Sequence, residues 1–371
     1  MSCGMRSPER CRLEGGMDHD EAQIAAERYR APACFRIRAC ASAAPSQPLK
    51  DHPLEHVSLD LWAANLETPT PDLATWLARV EQRLTTAAAT GAQMLVLPEY
   101  ACAKWLHFAP HDLPEAQQLA WLADTGALAL PALAAMAARQ GVSLLPGTIP
   151  HPIDPVGGAP GFLNRAWLLT PDGGAFHQDK LSLTPAEEIA TGGATIHGAA
   201  ITVIPWNGLR LAIAVCLDAE FTALWSRLGE LDLDLILIPA KTDMITGLNR
   251  VFGCARARAI ELQTAVCAVG AVGAPMGHPA TDTGVGGAAA YLPCDVSVSL
   301  DGVFAALPPH PASALTSPVL AVRHLPLGQC RRIRNGAAEA EVCPALWRAD
   351  HLVIVDATLA PAEAVPPVQA A

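Results

Sequence analysis

The sequence predicts a single α/β domain with a mixed sheet, and three observations lead to this prediction. Short apolar segments of strand length alternate with longer segments of helical period over about 300 residues. No linker or change of composition interrupts the alternation. A tight hairpin signal, Asn207-Gly208, occurs beside helical crossovers, so antiparallel and parallel strand pairs are expected in the same fold.

The predicted elements begin at residue 57. A helix is expected at 72–90, where apolar residues recur at helical spacing up to Gly91, a residue that favours helix ends. The other helices are expected at 114–140 (as one or two helices), 217–228 and 247–262. Strands are expected at 57–65, 94–97, 142–146, 166–170, 200–205, 211–215, 233–239, 264–272, 288–292, 296–300 and 351–355.

The composition favours a folded protein without nucleic-acid or membrane partners. Hydrophobic residues make up 51% and charged residues 16% of the 371 residues, which excludes global disorder. The formal net charge of −11 would repel a phosphate backbone or an anionic membrane. Glycine or proline interrupts each of the longest uncharged runs, so no membrane span is expected.

The cysteines indicate a reducing compartment. The chain has 11 of them, an odd number, and they are scattered without a regular framework. No CxxC pair and no cysteine–histidine cluster with zinc spacing occurs, so no zinc site is expected. Without a signal-peptide pattern, the expected location is the cytoplasm, with most thiols buried as small hydrophobes.

Three segments are distinguished along the chain. Residues 1–54 lack any sustained period, and we expect a poorly ordered extension or a start codon placed too early, with Met17 as the alternative start. Residues 55–358 carry the alternating pattern and form the predicted domain. Residues 359–371 are expected to be a C-terminal tail.

Three reactive side chains lie just beyond predicted strands, where α/β folds expose functional groups. Glu99 follows the strand MLVL, Cys216 follows LRLAIAV, and Lys180 follows the turn PDGG and a short polar segment. A carboxylate can accept a thiol proton, and an ammonium group can lower a thiol pKa and stabilise a developing oxyanion. By itself this set is a weak signal, because a cysteine after an apolar strand is more often part of a core.

The local sequences around Glu99, Lys180 and Cys216 strengthen the interpretation that these residues are catalytic. The segments AQMLVLPEY, HQDKLSLTPAEE and AVCLDAEF follow one another in the order Glu99, Lys180, Cys216. They resemble the signatures of the nitrilase, or carbon–nitrogen hydrolase, superfamily over residues 57–358. LNRAWLLTPDG resembles the family's strand before the lysine, and RARAIE resembles its helix after the nucleophile. A finer resemblance is to bacterial nitrilase-like amidohydrolases, some of which carry a fused acetyltransferase domain.

The resemblance implies both the fold and the chemistry. The fold would be a four-layer α-β-β-α sandwich, and the protein would form a homodimer or a larger even homo-oligomer. Cys216 would be the nucleophile, Glu99 the general base, and Lys180 with the Leu217 backbone N–H the oxyanion donors. The substrate would be a small linear amide, hydrolysed by water through a thioester without metal or cofactor.

A second carboxylate is expected to line the site. In many relatives one follows the catalytic lysine, and here both Glu187 and Glu188 are candidates. Glu188 lies at the spacing of the amidase and acyltransferase branches, whereas Glu187 matches the LTPxE pattern of the nearer branch. Glu188 is favoured and Glu187 remains the alternative, while both could also be solvated loop charges.

Other candidates are assigned structural roles. Cys254 and Cys267 fall inside a predicted helix and strand without an adjacent turn amide, and His107 and His111 belong to a loop-like segment. Asp218 is expected to cap the helix after the nucleophile. Glu261 is expected to join ion pairs with Arg256 and Arg258; these two arginines belong to the same predicted helix.

Two departures from the family pattern bear on the substrate. Ala240-Lys241-Thr242 replaces a bulky aromatic residue, and residues 287–290 replace a GxS-type segment. The sequence leaves three alternatives to amide hydrolysis open: nitrile hydrolysis, acyl transfer to an amine, and a non-catalytic scaffold of the same fold.

Overall fold

Two β-sheets organise the molecule. The computed structural model describes residues 54–156, 159–190, 194–274, 284–314 and 316–337. The first sheet contains β1 (Val57–Trp62), β2 (Met94–Val96), β3 (Ser143–Leu145), β4 (Thr148–Val156), β5 (Ala159–Leu169), β6 (Ala175–Asp179), β7 (Thr195–Ile196) and β14 (Val319–Leu325). Their order is β14-β1-β2-β3-β5-β4, with β6 and β7 also paired to β5.

The second sheet follows the same mixed pattern. It contains β8 (Ile204–Trp206), β9 (Leu209–Ile213), β10 (Leu235–Ala240), β11 (Ala265–Gly270), β12 (Gly287–Tyr291) and β13 (Val303–Ala306), in the order β13-β12-β11-β10-β9-β8. Strands β9, β10 and β11 are parallel, as are β1, β2 and β3 of the first sheet. The remaining pairs are antiparallel except β5 with β7, which is parallel. The predicted mixture of parallel and antiparallel pairs is confirmed.

Helices form the outer layers. The helices are α1 (Leu73–Ala89), α2 (Gln118–Gln140), α3 (Pro185–Ala190), α4 (Thr222–Leu228), α5 (Ile245–Leu262) and α6 (Leu327–Arg332), with 3-10 turns at Ala101–Phe108, Glu115–Gln117, Cys216–Glu220 and Ala312–Ala314. Buried side chains of α1 and α2 pack on the first sheet, and those of α4 and α5 pack on the second. The four-layer α-β-β-α sandwich is therefore confirmed.

The main core lies between the two sheets. Val57, Leu59 and Leu61 of β1 belong to it, together with buried side chains of β9 to β12. Trp62 points the other way and packs with α1 and α2, because successive side chains of a strand face opposite sides. Sheets covered on both faces explain why the strands read as continuous apolar runs.

Local signals set the ends of α1. The Asp72 carboxylate accepts a hydrogen bond of 2.6 Å from the Thr75 backbone N–H, which caps the helix start. The helix ends before Gly91, whose φ of +76° lies in the left-handed region that favours glycine. The helix predicted at 72–90 is confirmed.

One long helix is as long and as apolar as a membrane-spanning helix. Within the described residues, Glu115–Gln140 has the length and composition to cross a bilayer. Core helices of globular proteins pass the same test, and here Leu122, Leu133 and Met136 are buried against the first sheet. In this structure the segment belongs to the outer helical layer of the sandwich.

The hairpin prediction is confirmed and two strand predictions are wrong. Asn207 and Gly208 join β8 to β9 with φ values of +51° and +80°, as a two-residue primed turn requires. Residues 296–300 form a tight turn closed by the Asp295–Ser299 bridge rather than a strand, and β13 follows them. Of the strand expected at 200–205, only its end enters β8.

Some predictions fall on residues outside the described ranges. These are the N-terminal extension up to residue 53, the strand at 351–355 and the tail at 359–371, all of which stay predictions.

Candidate active site

Side chains that follow strands of both sheets lie in one buried cluster. Glu99 follows β2 of the first sheet, and Lys180 follows β6, which is paired to β5 of the same sheet. Cys216 follows β9 of the second sheet. The structure brings these three predicted residues together in the interior: Glu99 is 1% exposed, Lys180 2% and Cys216 5%.

Glu99 is held at both carboxylate oxygens. Its Oε1 accepts hydrogen bonds of 2.9 Å from the Lys180 ammonium and 2.9 Å from the Asn164 side-chain amide. Its Oε2 accepts a hydrogen bond of 2.9 Å from the backbone N–H of Lys241, which follows β10. These three donors hold the carboxylate in one orientation.

The Lys180 ammonium lies between two carboxylates. Its Nζ is 2.9 Å from Glu99 Oε1, and 2.9 Å and 2.7 Å from the two oxygens of Glu187. Burial disfavours the charged form, but Glu99 and Glu187 outweigh it and raise the pKa of Lys180 well above its ordinary value. The two carboxylates therefore favour the charged form of the lysine inside the fold.

The second carboxylate of the cluster is Glu187, so the preference for Glu188 is corrected. Glu187 and Thr184 form a reciprocal cap at the start of α3, with hydrogen bonds of 2.8 Å and 3.1 Å, which turns the Glu187 side chain back towards Lys180. Glu188 lies one residue further round the helix, pairs with His197 at 3.1 Å and has a side chain 53% exposed. It does not join the cluster.

Cys216 occupies the turn after β9 with a strained backbone. Its φ of +51° is left-handed, an unusual conformation for a non-glycine residue that is concentrated at functional sites. Its Sγ donates to the Lys241 carbonyl at 3.5 Å. Burial and then the Glu99 carboxylate raise the pKa of the thiol well above its ordinary value, with Lys180 acting in the opposite direction. The resting thiol is therefore protonated.

The backbone of Lys241 connects the two reactive groups. Its N–H donates to the Glu99 carboxylate and its C=O accepts from the Cys216 thiol, so one residue fixes the position of both groups. Leu217 is the second residue of the turn Cys216–Glu220, so its backbone N–H is adjacent to the thiol. Its part as an oxyanion donor stays a prediction.

Asp218 holds the loops of the site together; it caps the 3-10 turn that begins at Cys216, and not helix α4. Its carboxylate accepts hydrogen bonds from the backbone N–H groups of Val215 at 3.1 Å, Ser182 at 2.8 Å and Leu181 at 3.2 Å. The Cys216 turn is thereby tied to the loop that follows Lys180. Burial raises the pKa of Asp218 to about 6, although the same backbone hydrogen bonds lower it.

Sequence reasoning missed Asn164. Besides its bond to Glu99, the side-chain amide lies 3.4 Å from Glu187, and the Asn164 carbonyl accepts the Lys180 backbone N–H at 2.9 Å. The signal was a single amide side chain within the apolar run of β5, which a buried position tolerates only when the amide is hydrogen-bonded.

The rival residues have other surroundings. Cys267 lies buried in β11, where burial raises the pKa of its thiol to about 12, and Cys254 lies half-buried on α5. The His107 ring is hydrogen-bonded to the Leu66 carbonyl at 2.8 Å, and not to a thiol. Glu261 pairs with Arg258, as expected, whereas Arg256 donates to the Asp301 carbonyl. Within the described ranges, no group of three His, Cys, Asp or Glu side chains could hold a metal ion.

The family profile of the carbon-nitrogen hydrolases matches residues 63–302, well over half of the chain. The chain belongs to the carbon-nitrogen hydrolase family. It is accordingly a hydrolase of carbon–nitrogen bonds, and the match includes Glu99, Lys180 and Cys216. No curated protein matches the sequence.

Solved structures share the fold at low identity. An amidase from Nesterenkonia sp. superposes with a TM-score of 0.54 at 21% identity, covering 76% of this chain and 94% of that one. A cysteine-to-serine variant of the Nesterenkonia AN1 amidase, described as a member of the nitrilase superfamily, superposes with a TM-score of 0.53 at 21% identity. The match covers 76% of this chain and 96% of that one. A glutamate-to-glutamine variant of the same amidase carries the acetamide moiety of fluoroacetamide on its active-site cysteine. It superposes with a TM-score of 0.53 at 21% identity, covering 76% of this chain and 95% of that one.

The two segments that depart from the family pattern, residues 240–242 and residues 287–290, lie in different parts of this carbon-nitrogen hydrolase. Residues 287–290 are in β12, paired with β11 and buried in the core. Lys241 lies in the site itself, through the two backbone contacts described above.

Proposed function

We propose that this carbon-nitrogen hydrolase is a thiol amidohydrolase, which cleaves a small linear amide through a thioester at Cys216. The observation that carries the proposal is the buried set of Glu99, Lys180 and Cys216, in which the Lys241 backbone holds base and thiol together. The amidase names of the solved structures with this fold support the same reaction.

The first half of the reaction forms the thioester. Because the resting thiol is protonated, Glu99 takes its proton as sulfur attacks the amide carbon. The carbonyl oxygen gains a negative charge, which the Lys180 ammonium and the Leu217 N–H stabilise. Glu99 then returns the proton to the nitrogen, the C–N bond breaks, and ammonia or an amine leaves.

The second half restores the enzyme. Glu99 removes a proton from a water molecule as its oxygen attacks the thioester carbon, and the acid leaves as sulfur recovers the proton. Throughout, Glu187 keeps the lysine charged and oriented. An ammonium group has three hydrogens, and Lys180 makes three contacts with Glu99 and Glu187, so the oxyanion would replace one Glu187 contact.

Ammonia release tests the proposal. Purified protein is offered a panel of ω-amides, carbamoyl amino acids and nitriles, alongside Cys216→Ser and the control Cys254→Ser, whose thiol lies on α5. We expect release from an amide, a loss of about 10³-fold or more in Cys216→Ser, and normal release in Cys254→Ser. Release from nitriles alone would identify a nitrilase instead. No release, with no preferential alkylation of Cys216 by iodoacetamide, would favour the scaffold alternative.

A further inference from the structure

Asn164 bridges the two carboxylates of the reactive cluster. The residue lies on β5 and is 1% exposed. Its side-chain Nδ2 donates to Glu99 Oε1 at 2.9 Å and reaches Glu187 Oε1 by a longer contact of 3.4 Å. An amide nitrogen donates hydrogen bonds and cannot accept them, so these contacts favour the unprotonated form of both facing oxygens.

The two oxygens of Glu99 therefore differ. Oε1 accepts from Asn164 and from the Lys180 ammonium, which occupies both lone pairs of a carboxylate oxygen. Oε2 accepts the Lys241 backbone N–H, which leaves one lone pair for a further proton. The Lys241 carbonyl contacts Cys216 Sγ, so Oε2 is the oxygen that shares a neighbouring residue with the thiol.

The charge balance of the cluster shows what the amide prevents. Glu99 and Glu187 supply two negative charges against the single positive charge of Lys180, which both of them contact. Buried carboxylates with too little positive charge around them take up a proton and share it. The amide hydrogens of Asn164 supply part of the missing positive charge, at the two oxygens where a shared proton would be held.

The oxygen of the same amide indicates why a polar residue is present here. Asn164 Oδ1 is buried and has no hydrogen-bond donor among the residues that the structure describes. A buried carbonyl oxygen without a donor costs free energy, so it calls for an explanation beyond packing. The carboxylates provide that explanation, because they accept hydrogen bonds and so orient the amide nitrogen towards themselves.

We propose that Asn164 is a positioning residue of the general base, which keeps Glu99 Oε1 and Glu187 unprotonated and leaves Glu99 Oε2 to carry the proton of the Cys216 thiol. The proton moves from Sγ to Oε2 as sulfur attacks, and from Oε2 to the leaving nitrogen as the C–N bond breaks. This inference rests on the proposed amidohydrolase function and adds the atom that carries the proton.

The first test follows proton transfer without a substrate. The rate of Cys216 alkylation by iodoacetamide is measured between about pH 4 and pH 9 in the wild type, Asn164→Leu, Asn164→Asp and Asn65→Leu. Asn65 is the matched control, because it is also a buried asparagine. Its side-chain amide donates to the Ala312 carbonyl at 3.1 Å and accepts the Glu67 N–H at 2.9 Å, outside the reactive cluster.

The readout is the pH at which the alkylation rate rises as the base loses its proton. We expect this rise to move up by about one pH unit in Asn164→Leu, because a hydrogen bond to a charged group is lost. Asn164→Asp should move it further, since a third carboxylate makes the cluster bind the proton more tightly. Asn65→Leu should keep the wild-type position even if its stability falls.

Two results of this test would overturn the inference. One is a rise at the wild-type pH in the Asn164 variants, and the other is an equal move in Asn65→Leu, which would indicate a general effect of losing a buried amide. Asn164→Asp keeps the shape of the side chain, so it provides the test even if Asn164→Leu fails to fold.

The second test uses turnover of an amide from which the wild type releases ammonia. At a pH where alkylation has levelled off, we expect kcat to be about tenfold lower in Asn164→Leu with little change in KM, because the proton is no longer directed to Oε2. An unchanged kcat overturns the inference but leaves the proposed function standing. Absence of ammonia release from the whole amide panel overturns the function, while the alkylation profiles still decide the role of Asn164.

Discussion

The Lys180 ammonium is the charge on which the site depends. It is buried between Glu99 and Glu187, so removing it leaves two carboxylates facing each other without a counterion. Such an arrangement costs free energy unless one carboxylate takes up a proton. We therefore expect the lysine to be needed both for the proposed chemistry and for the fold around it.

Lys180→Met tests both roles. The substitution keeps the aliphatic stem and removes the charge, so turnover should fall by ~10²–10³ through loss of an oxyanion contact. The free energy of unfolding should fall by about 3–5 kcal/mol, because the buried ion pairs are broken. Urea unfolding measures the stability change, and Lys180→Met/Glu187→Gln, which removes one unpaired carboxylate, should recover part of it. Near-normal turnover in Lys180→Met would exclude the lysine from the site.

The two neighbouring glutamates offer a matched pair. Glu187 contacts Lys180, whereas Glu188 contacts the largely exposed His197. We expect Glu187→Gln to lower kcat about tenfold, because an amide orients the ammonium less strongly than a carboxylate does. Glu188→Gln should retain the wild-type kcat. The opposite result would restore Glu188 as the second carboxylate.

The distinction between these glutamates could not be made from sequence. Both follow Lys180 in one short segment, and their spacing fits different branches of the family. What decides is the cap between Thr184 and Glu187, which sets the rotation of α3 relative to Lys180. The set Glu99, Lys180 and Cys216 was predicted from the family resemblance of the local sequences, because position after a strand or turn is by itself a weak signal.

At the scale of elements, Asp218 couples two loops. The Asp218 carboxylate accepts hydrogen bonds from backbone N–H groups after β9 and in the segment after Lys180. These bonds fix the positions of Cys216 and Lys180 relative to each other. The arrangement requires a buried carboxylate, and its pKa of about 6 makes the coupling dependent on pH.

Asp218→Asn isolates that dependence. Because the folded-state pKa of about 6 is above the usual 3.8, the folded protein binds the proton more tightly. This contribution to stability is present at low pH and is lost as the pH rises through 6. The stability difference between wild type and Asp218→Asn should therefore fall by about 1.4 kcal/mol from pH 5 to pH 7.5. Denaturant unfolding at both pH values measures it, and a difference that does not change with pH would contradict the assignment.

The sequence analysis missed strand β4 and wrongly predicted a strand at 296–300, because in both segments the local residue pattern differs from what the fold requires. β4 contains Pro150 and Pro152, residues that argue against a strand, yet it lies at an edge of the first sheet, where missing N–H donors are tolerated. Residues 296–300 have strand-like apolar spacing, but Val296 and Leu300 are 68% and 83% exposed in a tight turn. In both cases the place of the segment in the fold, and not its local pattern, decides the structure.

At the scale of the whole molecule, the two-sheet sandwich explains why the site lies in the interior. Strand β2 of the first sheet and strands β9 and β10 of the second end near one another, because Glu99, Cys216 and Lys241, which follow them, are in contact. Cytoplasmic location and an even homo-oligomer stay predictions.

Deleting residues 1–50 tests the predicted organisation of the chain. These residues carry no sustained hydrophobic period, so we expect the deletion to leave Tm and ammonia release nearly unchanged. Thermal unfolding with intact and shortened chains provides the comparison. A fall of several degrees would indicate that the segment packs on the domain or on another subunit.

The central claim is that carbon–nitrogen bond cleavage proceeds through Cys216, and the most direct test is to locate the acyl group during turnover. The wild type is mixed with an amide that releases ammonia, quenched in acid within the first turnover, and mapped by peptide mass spectrometry. We predict that the peptide containing Cys216 gains the mass of the acyl group and loses it when the thioester is treated with hydroxylamine. An acyl group on any other residue, while ammonia is released, would contradict the account.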